Sequence, residues 1–349
     1  MDNWRKQLRY DPLPKLISSG NNVVAYFAKR DLLEESVEPI ETIWQLGSAT
    51  KIVNRQLEDG SWKYGDGSPN IRSKEDYNQL ETYRILGQLV EIYGFTRKHK
   101  AIGKAAEFLF KHQTEEGDFR GIYGNQYTPN YTAAIMELLI KAGYDSDPRI
   151  ENGFQWLLSI RQNDGGWAIS SRTNRAKYTL MQALKNPEPI RPDKSKPFSH
   201  CITGIILRAF AAHPKYSKAP EAKIAGELLK SRFFKPDLYR DRNAASFWIK
   251  FAYPFWFTDL VSALDSLSLL GFAKDDVQIK SALEWLKGRQ QENGLWKVYL
   301  LKAKSIEDPY FWISLAICRI FKRFFGRYHK AYEFSQAIYV LRVNIKKGV

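Results

Sequence analysis

The side chains best suited to chemistry in this 349-residue chain are the adjacent pair His200-Cys201 and the isolated acids Asp259 and Asp308. Imidazole, thiolate and carboxylate are the donor types of a zinc site, so His200 and Cys201 with Asp259 as third ligand make one catalytic set. Adjacent residues are nevertheless an unusual way to chelate one ion. Asp259 with Asp308 is the one carboxylate pair to propose for acid–base work across a cleft. Each residue also has a plain local reading. Asp308 precedes Pro309 and Asp259 precedes an apolar run, as N-caps do; His200-Cys201 opens a helix, where it lines or caps a cavity. Whether a metal or another cofactor is bound stays open.

The elements that must position these groups come from a repeat. A glutamine is followed five or six residues later by an aromatic ring across a short acidic-glycine turn: Gln56-LEDGS-Trp62, Gln113-TEEGD-Phe119, Gln162-NDGG-Trp167 and Gln290-QENGL-Trp296. A weaker copy, Phe234-KPDL-Tyr239, falls in the widest gap. One supersecondary unit is therefore copied along the chain. Each unit reads as an amphipathic helix plus a more apolar one, such as Asp259-LVSALDSLSLLGF, stopped by a glycine such as Gly94, Gly143 or Gly271. A helix apolar most of the way round must be surrounded. A ring of about six hairpins, roughly 13–57, 77–113, 128–162, 200–233, 255–290 and 309–345, achieves this with the apolar helices inside. The glutamine then bonds backbone groups left over at a helix end, and the tryptophan packs against the next hairpin. No segment alternates as a strand does, so the expectation is an all-α single domain over residues 1–349.

In such a ring the starts of the inner helices gather around one mouth, where unbonded N–H groups favour an anion. The chain carries 53 Lys and Arg against 38 Asp and Glu, a net charge of +15. Much of that surplus lies in a rim insertion at 168–197, with Arg172, Arg175 and Lys177, and in a tail at 318–349 that holds eight Lys or Arg and one acid, Glu333. Aromatic residues crowd the same mouth. Tyr123, Tyr127 and Tyr131 precede the third inner helix, Trp248, Tyr253 and Trp256 the fifth, and Tyr310 and Trp312 open the sixth. They suit an apolar pocket with ring faces toward a cation, and equally the packing between hairpins. The tail either closes the ring or lies on an anionic bilayer.

Two cysteines make no disulfide framework, the first residues lack an apolar core, and no apolar run is long enough to span a bilayer. A cytoplasmic protein, at most peripheral to a membrane, is expected, with a hydrophobic or anionic small molecule as partner and no nucleic acid.

The repeats resemble the glutamine-tryptophan motifs of squalene-hopene cyclases, oxidosqualene cyclases and protein prenyltransferase β subunits, over about residues 32 to 300. The resemblance implies an α/α toroid. It is nearest to the short single-toroid proteins with prenyltransferase-type repeats, through stretches such as Trp248-IKFAYPFWFTDLVSALDSLSLLG. The Asp-x-Asp-Asp acid of triterpene cyclases does not occur in the sequence, and Asp145-Ser146-Asp147 and Asp275-Asp276 read as caps. The Asp-x-Cys zinc pattern of the prenyltransferases is replaced by Ser199-His200-Cys201. The resemblance therefore implies a cyclase- or prenyltransferase-like toroid that binds an isoprenoid or other anionic lipid-like ligand, without triterpene cyclisation. Two other classes stand beside it: a carbohydrate-active α/α barrel, and a non-catalytic scaffold. A deep aromatic cavity favours the first, an open acidic groove the second, a filled centre the third.

Overall fold

In a computed structural model of the chain, residues 2–65, 73–174, 182, 186–240, 242–301 and 308–326 are described. They are all-α apart from short extended pieces; the one two-stranded sheet pairs Lys250–Phe251 with Tyr299–Leu300 in parallel. Arg175, Lys177 and the tail from 327 onward lie outside the described residues. Among the described residues no helix is long and apolar enough to cross a membrane.

Among the described residues, eleven of the helices alternate between an inner and an outer position. They are α1 (Asn22–Phe27, prolonged by Ala28–Leu33), α2 (Gly47–Val53), α3 (Lys74–Glu91), α4 (Lys100–Phe110), α5 (Pro129–Leu139), α6 (Pro148–Ser159), α7 (His200–Ala212), α8 (Pro220–Ser231), α9 (Leu260–Leu269), α10 (Val277–Gly288) and α11 (Pro309–Phe325). The odd-numbered helices are the inner ring: α3 packs on α5, α5 on α7, α7 on α9, α9 on α11, and α11 on α1 and its extension. The stretch after α3 closes the circle on the first hairpin, where Trp44 donates to the Gly94 carbonyl and stacks on Phe95. Gly94, Gly143 and Gly271 all have positive φ, as helix-ending glycines do.

The repeated turn makes the same bonds in three copies. Gln56 Nε2 donates to the Gly60 and Ala101 carbonyls, Gln113 Nε2 to Gly117 and Arg149, and Gln290 Nε2 to Gly294 and Tyr10, all at 2.7–2.9 Å. One bond closes the turn and the other reaches the next outer segment. The turn glycine must come that close. Gly117 has φ +103°, and a Cβ there would sit 2.5 Å from the Asn152 carbonyl oxygen of α6. Each motif tryptophan bonds back to its own outer helix, Trp62 Nε1 to Ile52 O, Trp167 Nε1 to Leu157 O and Trp296 Nε1 to Leu286 O. The backbone N–H of each closing aromatic donates to a hydroxyl on the following inner helix: Thr82, Thr132, Thr203 or Ser314. Each of these hydroxyls lies in the first half of its inner helix, so these four inner helices run parallel.

Two copies depart from the pattern. Gln162 Nε2 donates to Asp193 and Lys196, which anchors the rim insertion instead of an outer helix. In the fifth copy the indole role passes from the expected Tyr239 to Trp248, whose Nε1 donates to the Lys235 carbonyl; Tyr239 donates its hydroxyl to Pro197 O.

The sixth outer position is filled from the other end of the chain. Gln290 Oε1 accepts from the Arg9 and Tyr10 N–H groups, Gly294 packs on Asp11, and Asn3 Nδ2 donates to Phe325 O. Trp4, Leu13 and Leu16 are buried there. Of the expected sixth hairpin, 309–345, α11 is its inner member, and the N-terminal segment packs outside it.

Two outcomes follow for stability. Trp167→Ala or Trp296→Ala removes a fully buried indole and its hydrogen bond, and should cost about 3–5 kcal/mol, read from urea unfolding; wild-type midpoints for both would refute the role. Gln290→Ala strands the Arg9 and Tyr10 amides, so hydrogen exchange should quicken over residues 3–17 before the rest of the ring.

Candidate functional site at the mouth of the ring

At the start of α7 the chain brings several expected residues together. Ser199 caps the helix and donates its hydroxyl to Asp237 Oδ2, which also accepts from Cys201 N–H; Asp237 Oδ1 accepts from Tyr239 N–H. His200 is buried, stacked on Trp248 at 4.6 Å, with Nδ1 3.1 Å from Asp237 Oδ2 but off the hydrogen-bonding direction. Burial outweighs the pull of Asp237 and lowers the His200 pKa to about 4, so the ring is neutral at pH 7. Arg172 and Cys201 line one small cavity of about 10 Å³ with Ile169, Ser199, Ile202 and Tyr239, room for about one water.

Asp259 lies one inner helix further on, tied in by the Thr258 hydroxyl, which donates to Cys201 O. It is wholly buried and forms a reciprocal cap with Ser262. Asp147 and Asp276 also cap helices, as their spacing suggests. Asp308 does not: its backbone is left-handed, φ +52°, and its side chain makes no cap bond. Asp259 and Asp308 therefore do not form a matched pair of exposed carboxylates. Among the described residues no three His, Cys, Asp or Glu side chains come together as a metal site.

The aromatic residues divide into three groups. Tyr127 and Trp248 are buried between hairpins, Tyr127 against Trp156 with its hydroxyl on Glu116. Tyr253 and Trp312 fill the lumen, stacked at 5.6 Å and 10°, with Arg319 donating to the Tyr253 hydroxyl. Trp256 and Tyr310 are exposed at the mouth, 41% and 40%, and Tyr123 is half-buried against Tyr131. Trp256 stands between Arg84, 5.9 Å from its ring, and Arg242, 5.3 Å from it. Arg84 is on α3 and Trp256 leads into α9, members of the second and fifth hairpins. These lie opposite each other, so the 252–257 segment bridges the mouth.

Beneath it lies a layer the expectations missed. Neighbouring inner helices are joined near their C-terminal ends by ion pairs: Asp31 with Arg319, Asp265 with Arg323, Glu137 with Arg208, and Glu91 with Lys141, which also pairs with Glu137 one turn back on its own helix. Arg208 and Glu137 are almost fully buried, and attraction to Arg208 and Lys141 holds the Glu137 carboxyl low against its burial. Cations at helix C-termini also suit the helix dipoles. The signal was present in sequence. A charge inside an apolar helix, as in ITGIILRAFAA or AAIMELLIK, must find a partner.

Asp259 gives this site a pH signature. Burial raises its carboxyl to about 7 against the hydrogen bonds from Ser262 and Ala252. A carboxyl that ionises near 4 when unfolded and near 7 when folded contributes fully at low pH, and that contribution is lost as pH rises between those values. Asp259→Asn keeps the cap acceptor without the buried charge. Its stability relative to wild type should rise from pH 4 to pH 8 by roughly 2–4 kcal/mol; a difference independent of pH would contradict the assignment.

A family model of the squalene-hopene cyclase C-terminal domain matches residues 76–187. A probable squalene–hopene cyclase of Sinorhizobium fredii is 27% identical over 138 residues, covering 39% of this chain and 20% of that protein. The squalene–hopene cyclase of Bradyrhizobium diazoefficiens is 22% identical over 144 residues, 41% of this chain and 21% of its own. The matched stretch thus spans about a fifth of each of these relatives. Among solved structures, a variant of the type II terpene cyclase MstE from Scytonema aligns at TM-score 0.41 and 14% identity, over 90% of this chain and 99% of that one. A polysaccharide lyase aligns at TM-score 0.45 and 13% identity, over 92% and 90%. Over residues 76–187 the chain is thus similar to the C-terminal domain of squalene-hopene cyclases.

Proposed function

We propose that this toroid binds an anionic isoprenoid or a similar amphiphile at its mouth. The observation that carries the reading is Trp256, exposed at the axis of the ring between Arg84 and Arg242. An aromatic face flanked by guanidinium groups offers apolar contact and charge to one ligand. The starts of the inner helices add their dipoles at the same face. Arg172, with His200 and Cys201 beneath it, belongs to the wall of this site, and Asp259 holds the start of α9 under it. The solved MstE complexes include one with geranylgeranyl dihydroxybenzoate, named as substrate, which is the kind of amphiphile meant here.

The filled lumen favours a second reading, a non-catalytic scaffold. Tyr253, Trp312 and the ion pairs occupy the space in which a deep reaction chamber would lie. The carbohydrate reading is weaker, because the one carboxylate pair it rests on has Asp259 buried in a cap.

Titration with farnesyl diphosphate, followed by tryptophan fluorescence, separates these. Saturable binding that weakens as salt rises, and falls at least about tenfold in Trp256→Ala or in Arg84→Gln with Arg242→Gln, supports the mouth. Changing Arg172, Arg175 and Lys177 to Gln should weaken it further. Binding no tighter than that of inorganic pyrophosphate would favour the scaffold.

A further inference from the structure

Arg208 is the most buried Lys or Arg among the described residues. It is 3% exposed, in the third turn of α7, and its guanidinium is held on two sides. Nε donates to Glu137 Oε2 at 2.8 Å and Nη2 to the Trp256 carbonyl at 3.4 Å. Nη1 is buried and has no protein partner. A guanidinium N–H left unsatisfied away from solvent carries a desolvation penalty. The two anchors fix the fork, so the direction in which Nη1 points is set before anything meets it. The Trp256 carbonyl belongs to the segment that bridges the mouth, so Arg208 lies directly under the proposed binding face.

We propose that Arg208 Nη1 is an internal recognition point for the carboxylate of an amphiphile that enters by the mouth. This inference rests on the mouth-binding reading and adds the chemistry of the polar group. Glu137 already takes one edge of the fork, so the remaining N–H groups suit a single planar acceptor of one negative charge. A diphosphate would bring further charge against Glu137, whose carboxylate lies on the same guanidinium. The Trp256 bond is the longer of the two anchors, so the bridging segment is the side that yields as the ligand enters.

The test compares a prenyl carboxylate, the matching prenyl alcohol and the matching diphosphate on wild-type protein and Arg208→Lys. Lysine keeps the charge opposite Glu137 but removes the fork. The carboxylate should bind wild type more tightly than the alcohol does, and lose tenfold or more in Arg208→Lys while the alcohol is little changed. Equal carboxylate affinity in both proteins overturns the assignment to Arg208 and leaves the mouth reading standing; no binding of any probe overturns both. Should Arg208→Lys fail to fold, a crystal structure of wild type with the carboxylate decides. A ligand oxygen within hydrogen-bonding distance of Nη1 supports the inference, and a water there with ligand confined to the Trp256 face overturns it.

Discussion

In three of the repeats a glutamine amide ties the turn that ends one hairpin to the start of the next. Its two N–H groups serve two carbonyls, one in the turn and one on the following outer segment, as in Gln56, Gln113 and Gln290. A carboxylate has no N–H to donate to those oxygens, and an apolar side chain would leave them bare. The glycine that lets the turn approach the neighbour and the indole that bonds back ten residues both depend on that placement. Through the hydroxyls of Thr82, Thr132, Thr203 and Ser314, the same turns hold the first halves of the inner helices. The mouth is a consequence of the turns.

The lumen follows a different rule. Six parallel helices direct their C-terminal ends to one side, where carbonyl dipoles add up. The ring answers with Lys141, Arg208, Arg319 and Arg323, each paired with an acid from a neighbouring helix. Buried pairs of this kind add little net stability, but separating one is costly. Their effect is to fix which helices sit side by side and at what height. An apolar lumen of the same volume would leave that less determined.

The ring and its repeat phase were legible in the sequence because both rest on local signals: a glutamine, a glycine and an aromatic at short, fixed spacing. The capping roles of Asp147, Asp259 and Asp276 were legible for the same reason. Side-chain destinations were less so. Tyr127, Tyr253 and Trp256 look alike in sequence, all aromatic and all just before an inner helix, yet one wedges hairpins apart, one fills the axis and one meets solvent. What separates them is the path of the connecting segment, which no local periodicity encodes. Asp308 resembled a cap and is not one, since a left-handed backbone turns its carboxyl aside. Arg208 and Glu137 were detectable as charges in apolar helices, but their partnership spans 71 residues and emerges only when α5 and α7 lie together.

The strap formed by residues 3–17 has a consequence for how the protein is made. Its partners, Gln290 and Gly294, lie some 280 residues downstream. At a synthesis rate of about 5–20 residues per second they leave the ribosome roughly 15–60 s after the strap does. During that interval Trp4, Leu13 and Leu16 have no groove to occupy, and the growing arc of hairpins exposes an unfinished edge. The strap is thus made long before the groove that receives it, and its apolar side chains wait for their partners until the arc of hairpins reaches Gln290.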